Sequence, residues 1–407
     1  MNQPLSRYVD YMYSYPHKTA YRPFPAPVSL LPYLEQLQGR KASLYFHIPF
    51  CSHKCGYCNL FSLQTNRTEY IATYLDTLHR QAQQLSPLTA GLTFDSFAIG
   101  GGTPLLLTVP QLEQLMATAA LFGVHPSHAF TSVETSPEYA DRPRLNVLKK
   151  AGVSRVSIGI QSFQDEELKA IKRRPRQNTI YQALDDIRQM DFPYFNIDLI
   201  YGIKGQTVES FLYSLEEALR FQPNELFIYP LYVRQGTGIT EREPDDVCFR
   251  MYRAACKLLQ AKGFLQTSMR RFIHHPSGRR SYLGDLHYAT RYTVCQQCIA
   301  REIDEYMATT DFTVARNGFI LSAKEQQQRF IIKNLMYYMG IDKAEYTRRF
   351  GEPLDRTPLF RQLAEQYWIE ETPERIRLTP EGLSYSDYIG QLFITPGIRQ
   401  LMETYSY

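Results

Sequence analysis

The sequence predicts an α/β fold in which a curved parallel sheet precedes a smaller, mainly helical region. The first observation is a repeated order: from about residue 42, short β-rich runs alternate with amphipathic segments of helix length. This order is typical of parallel strands joined by right-handed crossovers. The second observation is that most of the β-rich runs contain adjacent apolar residues, as strands buried on both faces do. The repeat is compatible with a full barrel or with a six-stranded partial barrel.

Six strands and the helices between them follow from this alternation. The strands are predicted at Ala42–Ile48, Ser96–Gly100, Phe130–Glu134, Arg155–Gln161, Tyr194–Ile200 and Leu226–Tyr232. The helices are predicted at Glu69–Leu85, Val109–Phe122, Arg142–Ala151, Asp165–Ile171, Thr179–Met190 and Val208–Phe221.

The chain changes pattern after Gly236. A helix is predicted from Pro244 to Lys262, and from Lys324 the pattern is mostly helical, with a short β-like piece at Arg375–Leu378. Helices followed by a brief hairpin suggest a winged-helix-like domain, and since no basic recognition helix stands out we expect no nucleic-acid role. We therefore expect a proline-rich N-terminal arm at 1–40, a core at 41–240, a connecting segment at 241–323 and a C-terminal helical domain at 324–407.

Composition and charge exclude several classes of protein. Lysine and arginine number 45 against 41 aspartate and glutamate, a formal charge of +4, which argues against a protein dominated by nucleic-acid backbone contacts. There is no apolar run of the ~18 residues that a membrane span needs, and the first residues lack a signal-peptide pattern, so we expect a cytoplasmic protein. The seven cysteines are an odd number and three of them are clustered, which indicates a metal site rather than a disulfide framework.

The strongest signal is a C-x3-C-x2-C pattern formed by Cys51, Cys55 and Cys58. It follows the first predicted strand almost directly, and in a parallel barrel that position is the C-terminal rim, where active sites collect. Three thiolates this close can converge on one centre, and cysteine thiolates are the usual ligands of iron–sulfur clusters. A cubane cluster has four irons, so three cysteines leave one iron free to bind something else. The alternative is structural zinc, with His47 or His53 as the fourth ligand.

Five further segments accompany the cysteines. They are Tyr45-Phe46-His47-Ile48-Pro49-Phe50, Gly100-Gly101-Gly102-Thr103-Pro104, Ser132-Val133-Glu134, Arg155-Val156-Ser157-Ile158-Gly159-Ile160-Gln161-Ser162 and Asn196-Ile197-Asp198-Leu199-Ile200-Tyr201-Gly202. The set resembles the radical S-adenosylmethionine (SAM) superfamily and, within it, the group of oxygen-independent coproporphyrinogen III dehydrogenases, which includes heme chaperones and related methyltransferases. The resemblance is clearest over roughly residues 42–235. It implies a partial (β/α)6 parallel barrel of radical SAM type.

The resemblance also implies which residues bind which group. Cys51, Cys55 and Cys58 would hold a [4Fe-4S] cluster whose open iron takes the amino and carboxylate groups of SAM. The implied SAM contacts are Tyr45, Gly101, Gly102, Thr103, Glu134, Gln161, Arg174 and Asp198. Arg174 would pair with the SAM carboxylate, with Arg173 as a substitute. Each of these contacts has an alternative. The glycine segment can be a simple turn, and the polar residues at the strand ends can form hydrogen bonds that close the barrel mouth. The arginines can belong to a solvated basic run, and Tyr45 can pack in the core.

By the same resemblance the protein is expected to be an enzyme, a radical SAM oxidoreductase of porphyrin biosynthesis. Reductive cleavage of SAM would give a 5′-deoxyadenosyl radical that abstracts hydrogen from a propionate of a porphyrin-type substrate such as coproporphyrinogen III, and decarboxylation would follow. The implied partner is a low-potential electron donor such as flavodoxin or ferredoxin. The alternatives are a heme-binding chaperone, with heme or another tetrapyrrole as ligand, and a two-SAM radical methyltransferase.

Some residues depart from the patterns of this group. Leu60 stands where the dehydrogenases usually have another cysteine, and the segment around His287 stands in place of the His-Asn…Tyr-Trp signature of heme chaperones. Four further cysteines can hold an auxiliary cluster or remain reduced thiols. They are Cys248, Cys256, Cys295 and Cys298. No catalytic residue is assigned beyond the cofactor contacts.

Overall fold

The computed structural model describes residues 6–9, 15–39, 41–125, 128–174, 176–234, 236–274, 296–354 and 357–405, with the backbone alone at 296–300. The strands are β1 (Arg22–Ser29), β2 (Lys41–Ile48), β3 (Phe50–Cys51), β4 (Leu63–Gln64), β5 (Thr93–Gly101), β6 (Phe130–Thr135), β7 (Arg155–Gln161), β8 (Tyr194–Tyr201), β9 (Glu225–Pro230), β10 (Leu265–Gln266), β11 (Arg271–Ile273), β12 (Val314–Gly318), β13 (Ile341–Asp342), β14 (Ile369–Glu371) and β15 (Arg375–Leu378).

The helices lie between these strands and at the C-terminal end. They are α1 (Leu31–Glu35), α2 (Thr68–Leu85), α3 (Val109–Ala120), α4 (Arg142–Lys150), α5 (Asp165–Ala170), α6 (Gln177–Gln189), α7 (Val208–Arg220), α8 (Asp245–Ala261), α9 (Gln296–Met307), α10 (Ala323–Leu335), α11 (Lys343–Phe350), α12 (Pro358–Glu365), α13 (Pro380–Ser384), α14 (Ser386–Leu392) and α15 (Pro396–Glu403). Short 3-10 turns lie at Lys18–Ala20, Pro87–Thr89, Pro104–Leu106 and Pro137–Tyr139.

The first of two compact units contains residues 23–243 and 296–318. Its centre is a run of parallel strands in the order β2-β5-β6-β7-β8-β9. Helices α2 to α7 form the crossovers between consecutive strands of this run. The predicted α/β fold with six parallel strands is confirmed. The sixth strand begins one residue before the predicted Leu226 and ends two residues before the predicted Tyr232.

The two faces of this sheet differ in polarity. Alternate residues of a strand point to opposite faces, and the register places Glu134, Ser157, Asn196 and Glu225 side by side across four strands. The neighbouring residues on the other face, such as Ile197, are fully buried. The strands are buried on both faces, as their adjacent apolar residues predicted, but one of the two faces is polar. A polar row in this position, where parallel barrels usually carry branched apolar side chains, is costly unless it is hydrogen-bonded or meets a ligand.

The helices begin at residues that satisfy their free amide groups. Capping boxes start α3, at Thr108 with Gln111, and α7, at Thr207 with Ser210. Asp141 caps α4 with its carboxylate. In the part of the chain that the structure describes, no helix combines the length and the apolar content that a membrane span requires.

The second compact unit contains residues 6–9, 15–22, 244–274 and 319–405. In it β15 lies between β13 and β14 and is antiparallel to both. Together with α10, α11 and α12 these strands form a winged-helix-like arrangement, so the predicted mainly helical C-terminal region is confirmed. Its apolar core includes Phe330, Leu335, Ile341, Leu363, Trp368, Ile376, Ile389 and Ile398.

The N-terminal arm is anchored in this second unit. Tyr15 is fully buried in the apolar core, and its hydroxyl lies 3.2 Å from the Thr395 hydroxyl. The guanidinium of Arg7 lies between the rings of Phe249 and Tyr385, 3.7 and 4.1 Å from their centroids. Such cation–π contacts are strengthened by partial burial. The first described residues of the chain are thus packed against some of its last.

Candidate functional site

The three cysteines of the predicted cluster motif follow the end of β2, and all three thiols are free. Cys51 lies in β3 directly after Phe50, which is fully buried and anchors the start of the loop. The Gly100–Pro104 segment runs beside this stretch. The amide of Thr103 donates to the Phe50 carbonyl at 2.8 Å, and its hydroxyl donates to Cys51 Sγ at 3.6 Å. The glycine motif and the first cysteine are therefore one local structure.

Glycine is required at two positions beside the cysteines. A Cβ on Gly102 would lie 2.5 Å from the Phe50 carbonyl oxygen and 2.9 Å from Cys51 Sγ. Gly101 has a φ of +117°, and a Cβ there would lie 2.8 Å from the His47 ring. The segment is not a free turn, because Gly101 still pairs with the last residue of β2. The proposed contact of this segment with the SAM amino group stays a prediction.

The surroundings of Cys51 and Cys58 disfavour the ionisation of these two thiols. Burial raises the pKa of Cys51 to about 11, although the Thr103 hydroxyl lowers it, and burial also raises the pKa of Cys58. The thiolate is the form that binds metal, so a bound positive charge is needed to keep these thiols ionised. Three soft sulfur donors on one loop fit an iron–sulfur cluster.

The histidines considered as zinc ligands make other contacts. His47 Nε2 lies 2.7 Å from the Phe61 carbonyl oxygen and its Nδ1 lies 3.0 Å from the Tyr45 hydroxyl. Because a carbonyl only accepts, Nε2 donates and Nδ1 accepts from the tyrosine. His53 Nε2 donates to the Lys172 carbonyl at 2.7 Å. Within the described ranges, no three Cys, His, Asp or Glu side chains converge as a single metal ion would require.

Glu134 and Tyr45, two of the predicted SAM contacts, lie close together beside the glycine segment. A Cβ on Gly100 would lie 2.7 Å from Glu134 Oε2 and 3.2 Å from the Tyr45 hydroxyl. The missing side chain therefore lets the carboxylate and the hydroxyl approach the backbone from the polar face of the sheet. The structure brings these two groups together at one place.

Asp198 lies on the same polar face of the sheet, two residues after Asn196 in β8. Asn196 Nδ2 donates to Asp198 Oδ1 at 2.7 Å. Burial raises the pKa of Asp198 to about 7, with Asn196 and Arg155 lowering it and Glu134 and Glu225 raising it. The carboxyl is therefore balanced between its neutral and ionised forms near neutral pH.

Of the two adjacent arginines, Arg173 reaches the cysteine loop and Arg174 is exposed. Arg173 Nη1 donates to Cys55 Sγ at 3.6 Å and to the Tyr57 hydroxyl at 3.2 Å, and Nη2 donates to the Gly159 carbonyl. Its Nε is buried and has no hydrogen-bond partner among the described residues. A guanidinium with a further buried donor is suited to a carboxylate ligand. The SAM role of both arginines stays a prediction.

Gln161 closes the same edge of the sheet. It has a φ of +73°, which is uncommon for a residue with a side chain. Its Nε2 would lie 2.6 Å from a Cβ on Gly159, and Arg173 Nη2 would lie 3.7 Å from the same Cβ. Strained backbone of this kind gathers at ligand sites. Gln161, Gly159, Arg173 and Cys55 are therefore neighbours.

Family models match two parts of the chain. The model for the radical SAM superfamily covers residues 45–218, and the model for the HemN C-terminal domain covers residues 321–385. The first span contains the three cysteines and every predicted SAM contact. Residues 45–218 of the chain thus match the radical SAM superfamily. The match confirms the resemblance predicted from the motifs and implies a [4Fe-4S] cluster and SAM as cofactors, which the free thiols, the glycine cradle and the buried donor of Arg173 fit.

The relatives of this chain include a heme chaperone and a coproporphyrinogen III oxidase. The heme chaperone HemW of Bacillus subtilis strain 168 is 27% identical over 371 residues, covering 84% of this chain and 96% of that protein. The oxygen-independent coproporphyrinogen III oxidase of Escherichia coli K12 is 33% identical over 190 residues, covering 47% of this chain and 42% of that protein. The alignment spans less than half of the oxidase. Higher identity over a shorter alignment thus favours the oxidase, and wider coverage favours the chaperone.

A solved structure shares the fold over nearly the whole chain. It is described as "Coproporphyrinogen III oxidase (HemN) from Escherichia coli is a Radical SAM enzyme" and has a TM-score of 0.79 at 22% sequence identity. The alignment covers 95% of this chain and 97% of the chain in the solved structure. At this identity the likeness shows the radical SAM fold and no more.

Two of the four further cysteines lie on α8. His287, Cys295 and the side chain of Cys298 lie outside the described residues. Cys248 is fully buried in α8, and Cys256 is half-buried on the same helix. The contribution of these four cysteines to a second cluster stays a prediction.

Sequence reasoning left out two residues of the site. Tyr57, between the second and third cysteines, accepts a hydrogen bond from Arg173. Asn196 contacts Asp198 and is discussed below. Both belong to motifs that were singled out, but the spacing alone did not distinguish their side chains from core residues.

Proposed function

We propose that Cys51, Cys55 and Cys58 hold a [4Fe-4S] cluster and that the protein cleaves SAM reductively to act on a porphyrin-type substrate. The observation that carries this proposal is the meeting of the cysteine loop with Thr103 on one side and Arg173 on the other. When bound, the cluster and SAM supply one-electron cleavage of a carbon–sulfur bond, which gives methionine and a 5′-deoxyadenosyl radical.

The residues of the chain would bind and orient SAM. Arg173 is assigned to the SAM carboxylate in preference to Arg174, because its guanidinium already lies at the cysteine loop with a buried donor to offer. Glu134 and Asp198 are assigned to hydroxyl groups of the ribose, since both carboxyls lie on the polar face of the sheet. The Tyr45 hydroxyl, which donates to His47, is held beside them.

The substrate class is supported by the names of the relatives, which refer to coproporphyrinogen and to heme. In the proposed reaction the radical removes a hydrogen atom from a propionate side chain of coproporphyrinogen III. Loss of CO₂ and of one electron to an acceptor then leaves a vinyl group. We place the reaction in the cytoplasm, with a low-potential flavodoxin or ferredoxin as electron donor.

The test is an anaerobic assay of the reconstituted protein with SAM, dithionite and coproporphyrinogen III, with products identified by mass spectrometry. We expect 5′-deoxyadenosine together with a product carrying vinyl groups, and neither from a variant with all three cysteines changed to alanine. Cleavage of SAM without a vinyl product would reject the substrate. Absence of SAM cleavage from protein that contains four irons per chain would reject the proposal as a whole.

A second candidate function is heme transfer on the same scaffold. It is favoured by the alignment with the Bacillus subtilis heme chaperone, which spans 96% of that protein. This candidate predicts about one heme bound per chain without any conversion of coproporphyrinogen III. Titration of the Soret absorbance with heme, run beside the turnover assay, separates the two functions.

A further inference from the structure

The side-chain amide of Asn196 lies on the polar face of the sheet and makes two short hydrogen bonds. Asn196 is fully buried in β8. Its Nδ2 donates two hydrogen bonds of 2.7 Å, one to the Ser157 hydroxyl and one to Asp198 Oδ1. Both protons of the amide nitrogen are therefore engaged.

The acceptor end of the same amide is a cost to the fold. Asn196 Oδ1 is buried and has no hydrogen-bond partner among the described residues. An unsatisfied buried acceptor destabilises the folded state, and an apolar residue of the same size would avoid that cost. The amide also has a fixed sense, because a flipped one would turn its oxygen toward the Asp198 carboxylate. These facts indicate that the role of Asn196 is its hydrogen bond to Asp198.

We propose that Asn196 is a positioning residue that favours the ionised form of the Asp198 carboxyl and directs it toward bound SAM, with the Ser157 hydroxyl fixing the orientation of the amide. The inference rests on the proposed function, in which Asp198 accepts hydrogen bonds from the ribose. The bond from Asn196 engages Oδ1, so Oδ2 is the oxygen that would meet a ribose hydroxyl. Donation to a carboxylate favours its charged form.

The charges around Asp198 explain why such help is needed. Burial is the main cause that raises its pKa to about 7, and the carboxylates of Glu134 and Glu225 contribute to the same rise. Arg155 opposes them, but its Nε is hydrogen-bonded to Glu225 at 2.6 Å. Among the described residues, Asn196 is the side chain that donates a hydrogen bond to this carboxyl.

The test compares Asn196→Leu with the unchanged chain, both reconstituted anaerobically, by measuring the SAM dissociation constant from pH 6 to 9. A carboxylate that must be ionised binds SAM more tightly as the pH rises through its pKa. We expect affinity at pH 7 to fall roughly ten- to hundredfold, the range for a hydrogen bond to a charged group. We also expect the midpoint of the pH dependence to rise by about one unit, so that part of the affinity returns at pH 9.

A second readout does not need the cofactors. A carboxyl whose pKa is raised in the folded state lowers the free energy of unfolding as the pH rises from about 4 through the folded pKa. In the metal-free chain this decline should end near pH 7, and in Asn196→Leu it should continue to higher pH. Ser157→Ala should change both readouts in the same direction and by less.

The matched control is Asn334→Leu, since Asn334 is also buried and donates to the Phe330 carbonyl at 2.7 Å in the other unit. We expect it to leave SAM affinity and its pH midpoint unchanged. Wild-type affinity and midpoint in Asn196→Leu would overturn the inference and leave the proposed function intact, as would an equal loss in the control. Failure of the unchanged chain to bind SAM would overturn both together.

Discussion

At the scale of single residues, two adjacent arginines differ in what they can reach. Arg173 contacts Cys55 and Tyr57, whereas Arg174 is exposed. We expect Arg173→Gln to weaken SAM binding roughly tenfold or more, because a charge-assisted contact is lost, and Arg174→Gln to change it by less than about twofold. Equilibrium dialysis of the reconstituted variants measures this, and the opposite order would return the assignment to Arg174.

The cradle at Gly102 gives a second prediction at this scale. An alanine there would place Cβ 2.5 Å from the Phe50 carbonyl oxygen and 2.9 Å from Cys51 Sγ, so the cysteine strand must shift. We expect Gly102→Ala to lower the iron bound per chain after reconstitution. Gly397→Ala is the control, because a Cβ on Gly397 meets nothing within 4 Å. Equal iron in both variants would contradict the idea that this glycine shapes the cluster loop.

At the scale of elements, one carboxylate joins the segments that follow β7 and β8. Glu167 in α5 is buried and accepts from the Ser162 hydroxyl at 2.6 Å, from Gln206 Nε2 at 2.8 Å and from the Ser210 hydroxyl at 2.5 Å. All three partners donate, and an amide in its place would turn donors toward donors. We expect Glu167→Gln to lower the free energy of unfolding by about 1–3 kcal/mol in urea titrations.

The neighbouring residue supplies the control for this prediction. Glu166 lies on the same helix, is 86% exposed and pairs with Lys169 at the surface. Such pairs contribute little, so Glu166→Gln should change stability by less than about 0.5 kcal/mol. A similar loss in both variants would mean that helix charge, and not the buried junction, determines the effect.

The elements themselves were predictable from local patterns, whereas side-chain direction was not. The β/α alternation located all six parallel strands because periodicity is a local property of the sequence. The same runs indicated strands that are buried on both faces, but the polar row that contains Ser157 and Asn196 became visible only with the register between strands. The choice between Arg173 and Arg174 likewise depends on the backbone, where Lys172 has a φ of +54° just before them.

At the scale of the whole molecule, contacts between distant parts of the chain were the least predictable. An arm over residues 1–40 was expected from its prolines, but no local pattern shows that Tyr15 lies in one apolar core with Ile389 and Ile398. Residues that pack together at the two ends of the sequence leave no periodic signal. The motifs of the site were recognised because each is continuous, and the cysteine loop meets its partners at ends of parallel strands, which share one edge by topology.

The position of the cluster motif at that edge gives the last prediction, which concerns stability without metal. The sheet buries apolar residues such as Ile99, Val133 and Ile197 on the face away from the polar row. Small zinc domains need metal to fold because they lack such a core, but a chain of 407 residues does not. We expect chelation, or alanine at all three cysteines, to abolish SAM binding while the far-ultraviolet circular dichroism and a cooperative thermal transition are retained. If the metal-free chain lost its helical signal, folding of the barrel would require the cluster, which would contradict this prediction.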